Sequence, residues 1–316
     1  MYAATSSGLL APIQQWLDDP LVSEIMINQP QQVWVESQGV AICHYIETLS
    51  EYHLMTLIQL IANENNQLID ESSPILSASL LDGSRIQCVI PPVSVYPILC
   101  IRRVVQYAAS IDVFSGNQSF MSVENHQEVL YQKAFSQQDW SQVVKMAIQL
   151  KKTIVISGGT SSGKTTLLNA CLREVSNTDR MISLEDTREI QIPQSNQISL
   201  LSLHSGGSAA CISMQHLVRC SLRLRPDRII VGEIRGAEIL DFLTAAATGH
   251  EGCMTTMHAG SPQLALLRMK QLYKLNHVPS MTDQDILDEI YHVVDLIIQV
   301  NRLPQGRLIT DVMVLS

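Results

Sequence analysis

Nowhere in this chain of 316 residues do 18 or more apolar residues run together, and no basic stretch precedes the short apolar segment within residues 1–10. Neither a membrane span nor an export signal is therefore expected, and any membrane contact should be peripheral, through a surface helix or a partner. Charge is scarce too. Asp, Glu, Lys and Arg make up 16% of the residues, against about 25% in an average soluble chain, a deficit that subunit-facing surfaces in an oligomer would explain. Positive charge is the scarcer sign, with a net charge of −9. That balance argues against binding duplex nucleic acid, which needs a basic stripe to displace counterions. The seven cysteines form no Cys-x-x-Cys pair. Their odd number, scatter and placement, mostly in apolar runs, predict small buried hydrophobes rather than a zinc site or a disulfide framework. No internal repeat or low-complexity tract appears.

What is present fits a packed globular chain: 46% of the residues are hydrophobic, and the length suits two cores better than one. Residues 1–105 read as an α+β domain. A helical pattern near 9–17 leads into short β-type runs at 24–28, 33–37 and 40–46. Leu54, Leu57, Ile58 and Ile61 then repeat at helical spacing across 51–65. Asp82-Gly83 predicts a turn between strands 75–80 and 85–90, and a further strand spans 98–104. Residues 106–135 are polar, with Ser115-Gly116-Asn117-Gln118-Ser119, and are predicted to be a linker. Residues 136–316 form the second domain. A capping box over 136–139 should open a helix carrying Trp140, Val143, Val144 and Ala147.

The densest chemical signal is the β-branched run 153–157 followed by Gly158-Gly159-Thr160-Ser161-Ser162-Gly163-Lys164-Thr165 and a helical stretch, 166–175. Strand, glycine-rich loop and helix start together let successive backbone N–H groups face phosphate oxygens, with the positive end of the helix dipole behind them. Lys164 then supplies a charge to the β- and γ-phosphates, and the Thr165 hydroxyl a ligand to Mg²⁺; Thr166 opens the helix behind them. The expected ligand is Mg-ATP. A second β-type run, 228–233, ends in Glu233, the expected orienter of the attacking water. Gly232 stands where an Asp is usual, so a further acid is needed near the metal. Glu185, at the end of the run 181–185, is the candidate. The stretch 248–258 carries His250 and His258. No Cys or Asp completes a metal set, so His258 is read as a γ-phosphate sensor and His250 as a structural or interface group. A capping role is the alternative for both acids. The strands expected at 294–301 and 308–315, turned by Pro304-Gln305-Gly306, could pack in the core or present an edge.

Taken in order, four blocks resemble the hexameric secretion ATPases: the Walker A loop 158–165, the acidic box Ser183-Leu184-Glu185-Asp186, the Walker B strand 228–233 and the histidine box 248–258. Glu185-Asp186-Thr187 and Leu224-Arg225-Pro226-Asp227-Arg228, together with the N-terminal Arg85-Ile86-Gln87-Cys88 and Ile101-Arg102-Arg103, look like the type IV secretion branch, the eleventh VirB component, more than the pilus motors. The four-cysteine zinc insert of type II motors is missing. The resemblance implies a small N-terminal α+β domain and a C-terminal RecA-like P-loop domain with a central, mostly parallel sheet, assembled as a homo-hexamer with ATP between the domains. It implies that Arg85 and Arg102, with Arg103 their neighbour, reach the phosphates, and that an inter-subunit finger comes from Arg219, Arg223 or Arg225. The expected activity is ATP hydrolysis driving domain motion, to power assembly or substrate passage in a type IV secretion machine. Its partners would be inner-membrane and coupling components, at the cytoplasmic face of the inner membrane. A pilus-retraction motor and a nucleotide-gated scaffold with little turnover are the alternatives.

Overall fold

The computed structural model describes residues 6–104, 130–203 and 211–315. Two compact units emerge: residues 1–110 with 196–225, and residues 111–195 with 226–316. Most of the expected linker, 106–129 of 106–135, lies outside the described residues.

In the first unit, β1 (Val22–Gln29), β2 (Gln32–Ser37), β3 (Val40–Tyr45), β4 (Ile75–Ser79), β5 (Arg85–Val89) and β6 (Ile98–Arg102) form an antiparallel sheet in the order β3-β2-β1-β6-β5-β4. Period-two alternation sends Ile25 and Ile27, Val33 and Val35, Ile86 and Cys88, and Leu99 and Ile101 to one face. The helix Glu51–Glu64 buries Leu54, Leu57, Ile58 and Ile61 against that cluster. Its start is fixed by Ser50, whose hydroxyl accepts from the His53 N–H at 3.2 Å. The opposite face carries the buried polar groups Glu24, Asn28 and Gln87. They are satisfied within the unit: Asn28 donates to Asn196 at 2.9 Å, and Gln87 meets the Cys220 sulfur at 3.6 Å. The segment contributing those partners contains β9 (Gln197–Leu201) and the helix Met214–Ser221.

The second unit holds β7 (Ile154–Gly158), β8 (Met181–Glu185), β10 (Arg228–Val231), β11 (Met254–His258), β12 (Leu296–Leu303) and β13 (Gly306–Val314), in the order β13-β12-β7-β11-β10-β8. All neighbours there are parallel except β12 and β13. β7, β8 and β10 are buried along their whole length, which is why they read as mostly apolar runs rather than alternating ones. The fold class is the one the resemblance implies, a mixed α/β chain with an α+β first domain and a parallel-rich RecA-like second one; the structure adds that the first sheet is antiparallel.

Two local readings need correction. The helix Trp140–Gln149 is capped by Asp139, which accepts from the Gln142 N–H at 3.1 Å. The Ser136 hydroxyl instead donates to the Lys133 carbonyl, and Gln138 sits at φ +56°, which no helix interior allows. The helix after the glycine-rich loop runs Lys164–Leu172, starting two residues before the expected Thr166. The carboxyl-terminal ambiguity resolves both ways: β12 lies inside the sheet beside β7, and β13 is its edge. Five of the seven cysteines are buried as expected, whereas Cys43 on the outer strand β3 and Cys211 are exposed.

Candidate functional site

The glycine-rich loop leaves the carboxyl end of β7 under tight steric control. A Cβ on Gly158 would stand 2.3 Å from the Ser162 hydroxyl and 2.5 Å from the Val300 carbonyl of the neighbouring β12. Gly163 caps the following helix at φ +103°, and a Cβ there would meet Arg307 Cδ at 2.7 Å. Both positions therefore require glycine. Lys164 opens the helix and folds back under the loop, 8% exposed, donating to the carbonyls of Gly158 at 3.2 Å and Gly159 at 3.1 Å. Burial lowers its pKa from the ordinary lysine value, while the charge of Glu233 works in the other direction.

Parallel pairing then sets the remaining groups along one edge. His258, the last residue of β11, stands in register with Gly158, and Glu233 follows β10, the next strand over. Beyond it, Glu185 ends β8, whose Leu184 pairs with Val231. The side chains converge as the strand ends do. Lys164 Nζ is 3.5 Å from both ring nitrogens of His258, and His258 Nε2 is 3.3 Å from Glu233 Oε1. Glu233 thus faces the same side as Lys164. Thr256 on β11 steadies this turn by donating its hydroxyl to the Gly232 carbonyl at 2.7 Å.

These groups surround a cavity of about 260 Å³ walled by Thr160, Ser161, Lys164, Thr165, Glu185, Glu233 and His258, among others. Of the expected binding residues in and after the loop, Gly158, Gly159, Ser162, Gly163 and Thr166 do not line it. The Thr165 hydroxyl donates to Glu189 at 3.3 Å. Glu185 is 2% exposed, and its Oε1 accepts from the backbone N–H groups of Glu189 at 2.8 Å and Ile190 at 2.7 Å. It anchors the loop that carries Glu189 to Thr165. His250 turns to the Ala245 carbonyl at 3.1 Å and does not line the cavity.

Three charged residues that line the cavity were given no role in the sequence. Glu189 is one and Asp186 another. The third, Arg235, donates to Glu233 Oε2 at 2.7 Å and to Asp186 Oδ2 at 3.0 Å. Its position two residues after Glu233 was the available signal. Arg85 and Arg102 belong to the first unit, directly opposite each other on β5 and β6. With Arg223 they line a separate cavity of about 570 Å³, and Arg102 pairs with the buried Glu24. Burial raises the Glu24 pKa, opposed by its hydrogen bond to Arg102. Arg103 is tied to the carbonyls of Trp16 and Asp19, and Arg225 to Glu36 at 2.6 Å.

The model of the type II/IV secretion system protein family matches residues 7–304. The chain belongs to that family. Within it, the chain is 32% identical to the type IV secretion system protein VirB11 of Brucella suis biovar 1 (strain 1330), over 95% of this chain and 86% of that protein. It is 33% identical to VirB11 of Bartonella henselae, over 96% and 91%. It is 32% identical to the probable conjugal transfer protein TrbB of Sinorhizobium fredii, over 94% and 84%. The crystal structure of the VirB11 ATPase from the Brucella suis type IV secretion system, in complex with sulphate, superposes with a TM-score of 0.89 at 30% identity, covering 99% of this chain and 95% of that one. The resemblance drawn from the four motifs is thereby borne out, on the type IV branch of the family. Among the described residues no helix is long and apolar enough to cross a membrane.

Proposed function

We propose that this family member is a Mg-dependent ATPase acting as a ring-shaped motor, a homo-hexamer that powers assembly or substrate passage in a type IV secretion system. The observation that carries the proposal is the convergence of Lys164, His258 and Glu233, from the ends of adjacent parallel strands, on one cavity beside the glycine-rich loop. Ligands of open α/β sheets bind at this carboxyl edge. Two of the most similar proteins are described as VirB11, and the structural relative as an ATPase in complex with sulphate.

In this reading the amides from Gly159 to Thr165 hold the β- and γ-phosphates, and Lys164 exchanges its two loop carbonyls for phosphate oxygens. Among the described residues no cluster of three or more His, Cys, Asp or Glu is placed to hold a metal ion. Instead, the Thr165 hydroxyl lies beside Glu189, with Glu185 in the same cavity. These hard oxygen donors suit Mg²⁺: Thr165 and Glu185 would hold it, and when bound it would neutralise charge on the phosphates. Glu233 orients a water whose oxygen attacks the γ-phosphorus and accepts its proton, while the bond from phosphorus to the bridging oxygen breaks to give ADP and phosphate. His258 senses the γ-phosphate from between Lys164 and Glu233. Arg85 and Arg102 are further proposed phosphate ligands. The partners would be inner-membrane and coupling components at the cytoplasmic face of the inner membrane.

The test is phosphate release by the purified full chain. Lys164→Ala should abolish both nucleotide binding and turnover, whereas Glu233→Gln should keep binding and lose turnover. A Glu233→Gln protein with undiminished turnover would remove Glu233 from the chemistry, and a wild-type protein with none would leave only a nucleotide-gated scaffold.

A further inference from the structure

Arg235 has no part in the mechanism above, yet among the described residues it is the one guanidinium lining the cavity around Lys164. Its two carboxylate partners sit on different strand ends: Glu233 after β10 and Asp186 after β8. The root of the side chain is fixed. The backbone N–H groups of Arg235 and Gly236 both donate to Glu238 Oε1, at 2.6 and 2.7 Å, from the first turn of the helix Glu238–Ala247. A Cβ on Gly236 would press on the other oxygen of that carboxylate at 2.9 Å. The far end is loose by comparison: the side chain is 63% exposed, and exposed ion pairs of this kind hold weakly. A rigid base with a long, weakly held cation suits exchange between partners.

We propose that Arg235 is a γ-phosphate ligand in cis, which leaves Glu233 for the terminal phosphate when ATP binds; this inference rests on the ATPase reading. A guanidinium presents its N–H groups in a planar fork that matches phosphate as well as carboxylate geometry, and a phosphate bearing more than one charge competes well for it. The charge of Arg235 already acts against protonation of Lys164, so the two cations face the same space. An anion entering between them relieves that repulsion.

The exchange also settles when Glu233 is free to work. With Arg235 on Oε2 and His258 facing Oε1, both carboxylate oxygens are engaged. Transfer of Arg235 to the γ-phosphate releases Oε2 for the water, so the base becomes free only when there is a terminal phosphate to attack. ADP has none and leaves Arg235 on its carboxylates. Asp186 keeps one branch of the fork near the cavity in either arrangement.

The experiment compares the affinity of the full chain for ADP and for a non-hydrolysable ATP analogue by titration calorimetry, in wild type, Arg235→Ala and Arg235→Lys. Arg235→Ala should weaken the triphosphate analogue by about tenfold and ADP by less than about twofold. Arg235→Lys should recover part of the triphosphate affinity. Equal losses for both nucleotides, or no loss for either, would overturn the sensor while leaving the ATPase reading standing. Wild-type protein that binds neither nucleotide would instead overturn the ATPase reading beneath it. Arg235→Gln serves the same comparison if the alanine variant fails to fold.

Discussion

The two sheets of this protein solve different problems with similar apolar residues. In the antiparallel sheet of the first unit, strands alternate in direction, so their ends scatter to both edges. The notable cations, Arg85 and Arg102, come instead from facing positions on adjacent strands. In the parallel sheet of the second unit, every carboxyl end between β7 and β8 points the same way. Lys164, His258, Glu233 and Glu185 are therefore gathered on one edge, although 94 residues separate Lys164 from His258. Parallel pairing concentrates chemistry, and antiparallel pairing distributes it.

Removing a group at the parallel edge should do the most damage. Glu233→Gln should lower turnover by about a hundredfold to ten-thousandfold, the range for losing a positioned general base, with nucleotide affinity kept. Next in size is the buried ion pair that supports the same sheet from its opposite end. Arg228 donates to Asp179 at 2.8 Å and to the Ile148 carbonyl at 3.0 Å, almost wholly buried. Arg228→Met should cost about 3–5 kcal/mol in a denaturant melt, because Asp179 is left buried without its cation. The packing contrast is tested by truncating one isoleucine in each sheet. Ile156→Ala, in the fully buried β7, should cost about 2–5 kcal/mol. Ile42→Ala, on the exposed outer strand β3, should change stability by no more than about 0.5 kcal/mol.

Smaller effects sharpen the picture of the site. Burial depresses the Lys164 pKa below the ordinary 10.5, and phosphate binds the charged form. Nucleotide affinity should therefore be fully present below the depressed value and fall as pH rises through it, before an exposed lysine would titrate. Titrations across the alkaline range would show this, and Lys164→Arg should flatten the decline. Smallest of all is thiol reactivity. Burial pushes Cys171, Cys220 and Cys253 up to about 12 and Cys88 higher still, and Cys100 is buried as well. Mass spectrometry after brief alkylation of the native protein should find Cys43 and Cys211 modified and the other five intact.

Most strands, the helix Glu51–Glu64 and the glycine-rich loop were legible in the sequence because each depends on a local pattern. Apolar residues at strand or helix spacing reveal buried faces, and a loop that must turn tightly around phosphates needs glycine at fixed places. The capping of Trp140–Gln149 was misread because Ser136 and Asp139 are both good caps, and only the left-handed backbone of Gln138 chooses between them. Among the site residues, Lys164, Thr165 and Glu233 stood out because their motifs are contiguous. Arg235 and Glu189 did not, since an exposed charge beside a motif looks the same in sequence whether or not it meets a partner, and Asp186 was read only as part of the acidic box.

The order of residues was enough for most strands and for the phosphate-type loop, which rest on short-range periodicity and fixed spacing, and four motifs in order carried the resemblance to the family. The tertiary structure alone decided that His258 stands between Lys164 and Glu233, that β12 lies inside the sheet with β13 at its edge, and that Arg235 bridges Glu233 and Asp186. Those facts follow from which strands lie side by side. Strand order is set by the packing of the whole unit, and no local stretch of the chain encodes it.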